Sequence, residues 1–476
     1  MDRLNFYSAG QSRHLTLMPW SGLLTAALLM LWGPAALPAQ SAFDDGAFEF
    51  VETQGTTAGP ELKAWYEFEP RMFTHPVQDA AVELRQSLDL SLRWEQGDGE
   101  LWTRLNLEDR EGAQWIEELA ARAYLGRLTL SAGRQKIVWG KGDQLHIVDN
   151  LNADDYYDFI FPDYLQRRRG EDMLHAALAV GPWSWNAQLE AVWAPGFTPV
   201  AFTESGPWAP EYMESLARVQ PRLDELGIVI RDRVYDRFRD GQFALRWTQS
   251  LSGLDLGLSY YRGKARIPSM VMLPESVDSL GIPHLIELVN NDLQVLGLEW
   301  AAVLGPLNLR GEAARFLTDD RDGFNPLIFN PKWSLILGGD VNLPWGLNLN
   351  MQYLRDWALQ ENDIKLALYR QQLWAFVNFL QVDPAIYDLD LQRYWENDLL
   401  STRIGGSYFR EKFKPELQYV YRFGTEDLMA ALIMDLALSD RLNLIGSYRL
   451  FSGDPGEIFG QYDDRDFLSL RLEAVF

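Results

Sequence analysis

The stretch 467–476 reads FLSLRLEAVF. Its even positions hold Leu468, Leu470, Leu472, Ala474 and Phe476, while its odd positions include Ser469, Arg471 and Glu473. An alternation of period two sends successive side chains to opposite faces of a strand, so one face is oily and the other ionised. The fold turns on which solvent each face meets.

The same alternation recurs along the chain. Residues 82–94 place Val82, Leu84, Leu88, Leu90, Leu92 and Trp94 opposite Glu83, Arg85, Ser87, Asp89, Ser91 and Arg93. Residues 182–194, 346–356 and 441–451 repeat the pattern. The strands expected are 61–68, 82–94, 100–109, 117–125, 127–138, 172–180, 182–194, 241–250 and 253–262. The second half adds 293–304, 306–316, 332–342, 346–356, 398–409, 414–423, 427–437, 441–451 and 467–476. Alternate connections are long, at 139–171, 195–240, 263–292 and 357–397, with shorter loops at 69–81, 317–331 and 452–466. Those between them are tight and several carry Gly or Pro, as in LSGLDL and LGPLNL. In an up-and-down meander, that asymmetry puts every long loop at one end.

This is the pattern of an all-β, transmembrane antiparallel up-and-down β-barrel of about 16–18 strands, with short periplasmic turns and long extracellular loops. The apolar face then meets lipid, and the sheet closes because hydrocarbon offers no hydrogen bonds to an open edge. Trp183 and Trp193 would stand about 33 Å apart along the strand, or about 23 Å along the membrane normal at a 45° tilt, which matches an apolar band with aromatic girdles. Trp94, Trp247, Tyr260, Tyr353, Tyr408, Phe423 and Tyr448 fall near strand ends on the same face. A terminal aromatic, Phe476, resembles the signal that presents such barrels to the outer-membrane assembly machinery. A soluble sandwich or propeller is the competing architecture.

The N-terminus supports export. Arg3, Arg13 and His14 precede the uncharged run GLLTAALLMLWGPAALPA, which ends in small residues with a cut expected after Ala39. The expected organisation is a signal peptide at 1–39, a short periplasmic segment at 40–60 and a barrel at 61–476. The formal net charge of −24 argues against nucleic acid as a partner. Cysteine is absent, which excludes disulfides, thiolate metal sites and a CxxCH haem attachment, and no cofactor or metal is expected.

Strand parity points Arg85, Arg93, Arg104, Arg122, Arg246, Arg403, Arg422, Arg449 and Arg471 into the lumen, with Glu83, Asp89, Glu118, Glu190 and Asp255. Arg310, Glu299, Glu312, Glu416, Asp435 and Glu473 share that face. Such residues either select a permeant or pair across strands and brace the wall, and pairing is expected for most. A barrel of this size is wide enough for an aqueous channel, so loops must narrow it. Segments 211–232 and 276–293 have helix-like spacing interrupted by Pro221 and Pro283, and 363–389 is strongly apolar. Folded into the mouth, these would favour hydrophobic or amphipathic solutes. DDRDG at 319–323 lacks the further acidic ligands of a calcium loop.

The segment 133–155 contains Gly133-Arg134-Gln135, Trp139-Gly140 and Asn150-Leu151-Asn152-Ala153-Asp154-Asp155. It resembles the G-R/K-Q-x-x-x-W-G…N-P-x-D segment of a poorly characterised family of porin-like outer-membrane barrels, and is more loosely similar to alginate-export barrels. Ala153 stands where that pattern has Pro. The resemblance implies passage of a small-molecule solute across the outer membrane. Physically, Arg134, Gln135, Trp139, Gly140, Asn152, Asp154 and Asp155 would brace the loop inside the pore.

Two other classes compete. A barrel hydrolase needs an organised histidine, yet His75, His146, His175 and His284 form no Ser/His or Asp/His arrangement, so no enzyme is expected. A scaffold or sheath would enclose a partner protein. As a barrel, the chain would meet outer-membrane lipid and lipopolysaccharide, whose phosphates suit Arg167-Arg168-Arg169 unless these arginines neutralise Asp163 and Glu171.

Overall fold

The computed structural model describes residues 59–476 apart from 78–79, 109, 111–112, 159–163, 183–185, 204, 273–275, 277–278, 280–283, 326–327, 360–366, 369–370 and 372–394. The leader, Trp183 and nearly all of the apolar segment 363–389 therefore lie outside the described residues.

Eighteen strands form one sheet. They are β1 (Glu61–Val77), β2 (Ala80–Gln96), β3 (Gly99–Glu108), β4 (Ile116–Leu125), β5 (Leu128–Gln135) and β6 (Glu171–Val180). Next come β7 (Ala187–Ala194), β8 (Gln242–Leu251), β9 (Leu254–Lys264), β10 (Asp292–Leu304), β11 (Leu307–Thr318) and β12 (Lys332–Leu343). The last six are β13 (Leu347–Ala358), β14 (Asp398–Gly406), β15 (Phe413–Arg422), β16 (Leu428–Ser439), β17 (Leu442–Ser452) and β18 (Phe467–Val475). Each pairs antiparallel with its neighbours in the chain, and β18 closes on β1 with Trp65 opposite Val475 and Phe73 opposite Phe467. Phe476 continues the seam: its N–H donates to the Ala64 carbonyl at 2.9 Å and its carbonyl accepts from Ala64 N–H at 3.3 Å.

The alternation sorts as lipid outside demands. Leu84, Leu174, Leu258, Leu298, Leu432 and Leu468 are exposed on the outer face, and Trp333 sits opposite Trp357 at the long-loop end of β12 and β13. Asp89, Glu190, Glu299, Glu312, Gln352, Arg449 and Glu473 are buried on the inner one. The inner face is not uniformly polar. Val192, Ala244, Val295, Ala314, Phe316, Ile336, Leu354 and Leu399 point inward and are buried in one apolar cluster with Ile137, Trp139, Ile147, Val148 and Leu151. Two-sided burial explains why strands such as LQVLGLEWAAVL read as nearly continuous apolar runs.

Two expectations are corrected. The connection 69–81 is not a loop, because β1 runs on to Val77 and turns directly into β2 at Ala80. Pro70 suggests a strand end but sits inside β1, where the ladder to β18 breaks between Phe68 and Arg71 and then resumes. The described residues of the segment 276–293 form no α-helix. Its Leu285–Val289 is the middle strand of a small sheet with Val229–Asp232 and Ser269–Met272. By contrast Glu211–Glu225 is helical straight through Pro221.

Exposure on the outer face gives a depth-dependent expectation. Leu298→Arg, at mid-strand, lowers the unfolding free energy in lipid by about 2–4 kcal/mol, and Leu304→Arg, at the turn end, by about 0–1 kcal/mol. Denaturant titration of the protein folded in liposomes measures both, and equal losses would contradict a membrane-facing exterior.

Candidate functional site: the plugged lumen

Backbone amides placed inside a wide barrel need partners, and this chain supplies them from wall side chains. The described residues of the segment 136–170, between β5 and β6, fold into the lumen and cross it. Its anchor is Glu312 on β11, which is fully buried. One carboxylate oxygen accepts from Lys141 N–H at 2.9 Å and Gly142 N–H at 2.7 Å, and lies 3.2 Å from His146 Nδ1. The other accepts from Ile147 N–H at 2.8 Å and Val148 N–H at 3.1 Å. Gln352 on β13 extends the cradle, its carbonyl oxygen accepting from Gln144 and Leu145 at 3.0 and 3.1 Å. Ser401 on β14 donates to Gln144 at 2.9 Å, and Asn350 donates to Asp143 at 2.6 Å.

This explains the Trp139-Gly140 pair. Gly140 has φ +112°, and a Cβ there would stand 2.3 Å from a Glu312 oxygen. Only glycine lets the backbone come that close to the carboxylate. Trp139 is buried beside it, with the Arg246 guanidinium 5.7 Å from its ring.

Both legs of the plug are tied by Asn152. Its side-chain oxygen accepts from Ile137 N–H at 2.8 Å, and its amide donates to the Gln135 and Arg169 carbonyls at 3.1 and 2.8 Å. Gln135 donates in turn to the Met173 carbonyl at 3.1 Å. Asp155 pairs with Arg110 at 2.9 Å, and Asp154 with Arg167 at 3.2 Å and Arg168 at 3.3 Å. Arg134 departs from expectation. Gln135 points inward, so Arg134 points out to the rim and pairs with Asp172 at 3.3 Å. Arg168 is buried against Asp149 at 3.1 Å, and Glu171 is held by Arg266 at 2.6 Å.

Most of the wall arginines named from parity are paired, many of them across strands. Arg93 meets Glu100 at 2.8 Å, Arg104 meets Asp89 at 3.4 Å, and Arg122 shares Glu100 at 3.2 Å. Arg246 bridges Glu190, at 3.3 Å, and Glu299. Arg403 meets Glu416 at 2.7 Å, Arg422 meets Asp427 at 3.6 Å, and Arg471 meets Glu473 at 3.0 Å. Arg85 pairs with Glu108 and Asp158, Glu118 accepts from Lys136 N–H at 3.1 Å, and Asp255 meets plug Lys141 at 3.5 Å. Sequence parity passes over Arg71, which lies in the supposed loop 69–81. It is buried between Glu69 at 2.9 Å and Asp158 at 2.8 Å, with Glu83 at 3.4 Å.

The mouth is roofed separately. Trp208, from the β7–β8 connection, packs on Phe73, Phe451, Tyr462 and Phe467 with ring centroids 5.6–6.0 Å apart, and donates to Glu83 at 3.0 Å. These partners belong to β1, β17, β18 and the loop before β18, so this connection spans the mouth to the opposite wall. Below the plug a polar cavity of about 150 Å³ is lined by Lys141, Glu190, Arg246, Thr248 and Asp255, among others. Of the histidines, His175 contacts Glu190 at 3.0 Å.

No protein-family model matches the sequence, and no curated protein does. Among solved structures, the chain is similar to a triple mutant of the Rh. blastica porin, with 10% identity, 88% of this chain and 100% of that chain covered, and a TM-score of 0.40. It is also similar to Wzi of Escherichia coli, described as a carbohydrate-binding β-barrel involved in group 1 capsule assembly. There the identity is 14%, the coverage 87% of this chain and 84% of that chain, and the TM-score 0.45.

Glu312→Gln replaces one acceptor oxygen by an amide donor facing backbone donors. Losing bonds to a charged acceptor costs about 3 kcal/mol, so hydrogen exchange at the Ile147 and Val148 amides should speed up about a hundredfold. Unchanged protection would mean that Glu312 does not hold the plug.

Proposed function

We propose that this chain is a porin-like channel of the outer membrane, passing a small solute along the side of its lumen that the plug leaves uncovered. The observation that carries this reading is a contrast between two sectors of the inner wall. On β10 to β13 the inward Glu299, Glu312, Ile336 and Gln352 are at most 1% exposed. On β15 and β16 the inward Gln418, Val420, Met429 and Ile433 are only half-buried, although Arg422 and Ala431 on the same strands are buried. The plug hydrogen bonds described above land on strands from β1 round to β14.

The uncovered wall mixes Arg403, Glu416 and Gln418 with Val420, Met429 and Ile433. Such a surface suits an amphipathic solute better than a simple ion. The leader at 1–39 would deliver the chain through the inner membrane, and Phe476 would be read by the assembly machinery. Lipid and lipopolysaccharide surround the finished barrel in this reading. Among the histidines, His175 contacts Glu190 on the wall and His146 contacts Glu312 at the plug.

Planar-bilayer recording tests the channel directly. The reconstituted protein should show small unitary currents, and Glu312→Gln or deletion of 363–389 should raise them several-fold. Silence in all three proteins, despite correct folding, would overturn the reading.

A further inference from the structure

We infer that Arg449 is the anion-recognising group of a lumenal site for monovalent amphipathic anions, such as short-chain carboxylates. Arg449 lies on β17, opposite Phe467 of β18 and Ala431 of β16, with its side chain inside the barrel. It is only 7% exposed. Among the described residues its side chain forms no hydrogen bond and no ion pair, unlike the other inward arginines named above. Its one close aromatic neighbour is the Phe467 ring, 5.9 Å from the guanidinium carbon. A buried cation without a counter-charge is unfavourable for folding, so its presence points to a partner that is not part of the chain.

The surroundings narrow what that partner is. The nearby Arg71 and Arg471 are already committed to acids of their own. Glu69 and Glu416 attract Arg449 electrostatically without touching it, and they would oppose a second negative charge on a ligand. A single carboxylate fits that field, and the guanidinium fork matches its two oxygens. Around the head lies apolar surface. Phe451 and Phe467 form a roof with Trp208, at centroid distances of 6.0 and 5.6 Å from it, and Val420 and Met429 pack half-buried against the same cluster. An apolar tail would lie against Val420 and Met429, which keep exposed surface beside the buried roof.

This inference deepens the channel reading by naming its solute class, and its relevance to transport rests on that reading. Binding is nevertheless measurable without transport. The test is equilibrium dialysis of the full-length protein in lipid nanodiscs against labelled hexanoate, with acetate and hexylammonium as comparisons and empty nanodiscs as the blank. Hexanoate should bind saturably, with acetate and hexylammonium weaker by about tenfold or more. Arg449→Gln should lose about tenfold or more in hexanoate affinity, and Arg449→Lys should retain part of it. Removing an unpaired charge should leave the unfolding temperature of Arg449→Gln unchanged or raise it. Equal hexanoate binding by the wild type and Arg449→Gln, no saturable binding by the wild type, or a marked drop in the unfolding temperature of Arg449→Gln would overturn the assignment. Absent channel currents with Arg449-dependent binding intact would overturn the channel reading alone.

Discussion

A single carboxylate organises the interior. Glu312 sits at the middle of a wall strand and gathers four backbone amides and an imidazole from a segment remote in sequence. Without such an acceptor, residues 141–148 would bring bare N–H groups into a crowded lumen, where each needs a partner. Gln352 repeats the device two strands away, and Asn152 does the same work at the base of the plug. The side chains of the wall thus take the place that a partner strand would hold. Gly140 follows from this, because a side chain at that position would occupy the space of the carboxylate.

The plug divides the barrel unequally. One half of the wall is sandwiched between lipid outside and Trp139, Ile147, Val148 and Leu151 inside. Farther round, β15 and β16 keep the half-buried Gln418, Val420, Met429 and Ile433, while most inward residues of β17 and β18 are buried beneath an aromatic roof. Paired charges line the remainder, with Arg85, Arg104, Arg246 and Arg471 each set against acids. Such pairs brace the wall more than they attract solute, since each guanidinium already has its acceptor. The exception is Arg449, which is buried on β17 beside the half-buried residues of β16.

Much of this architecture could be read along the chain. Period-two alternation located each barrel strand and its inward face, because lipid on one side and ions on the other leave little freedom in parity. Gln135, Trp139, Gly140, Asn152 and Asp155 stood out as one segment, within which Asn152 bonds the Gln135 carbonyl and Gly140 abuts Glu312. Arg134 misled because one residue of register reverses a side chain, and only the burial of Gln135 settles which of the two turns inward. Arg71 was hidden behind Pro70, an unusual occupant of a paired strand. The latch itself has no local signature. Glu312 and Val148 are 164 positions apart, and nothing periodic links an acceptor in a strand to donors in a distant loop. The inner apolar cluster did leave a trace, as strands oily on both faces.

The latch also dictates an order of assembly. The segment 136–170 precedes its acceptor by six barrel strands, counting β6 to β11. Trp208 must likewise wait for β17 and β18, the last strands in the chain. Whichever terminus enters the bilayer first, both contacts form only when remote parts of the polypeptide enclose a common space. A growing, unclosed sheet therefore carries its plug and roof undocked, and completion of the circle and filling of its centre become a single cooperative event.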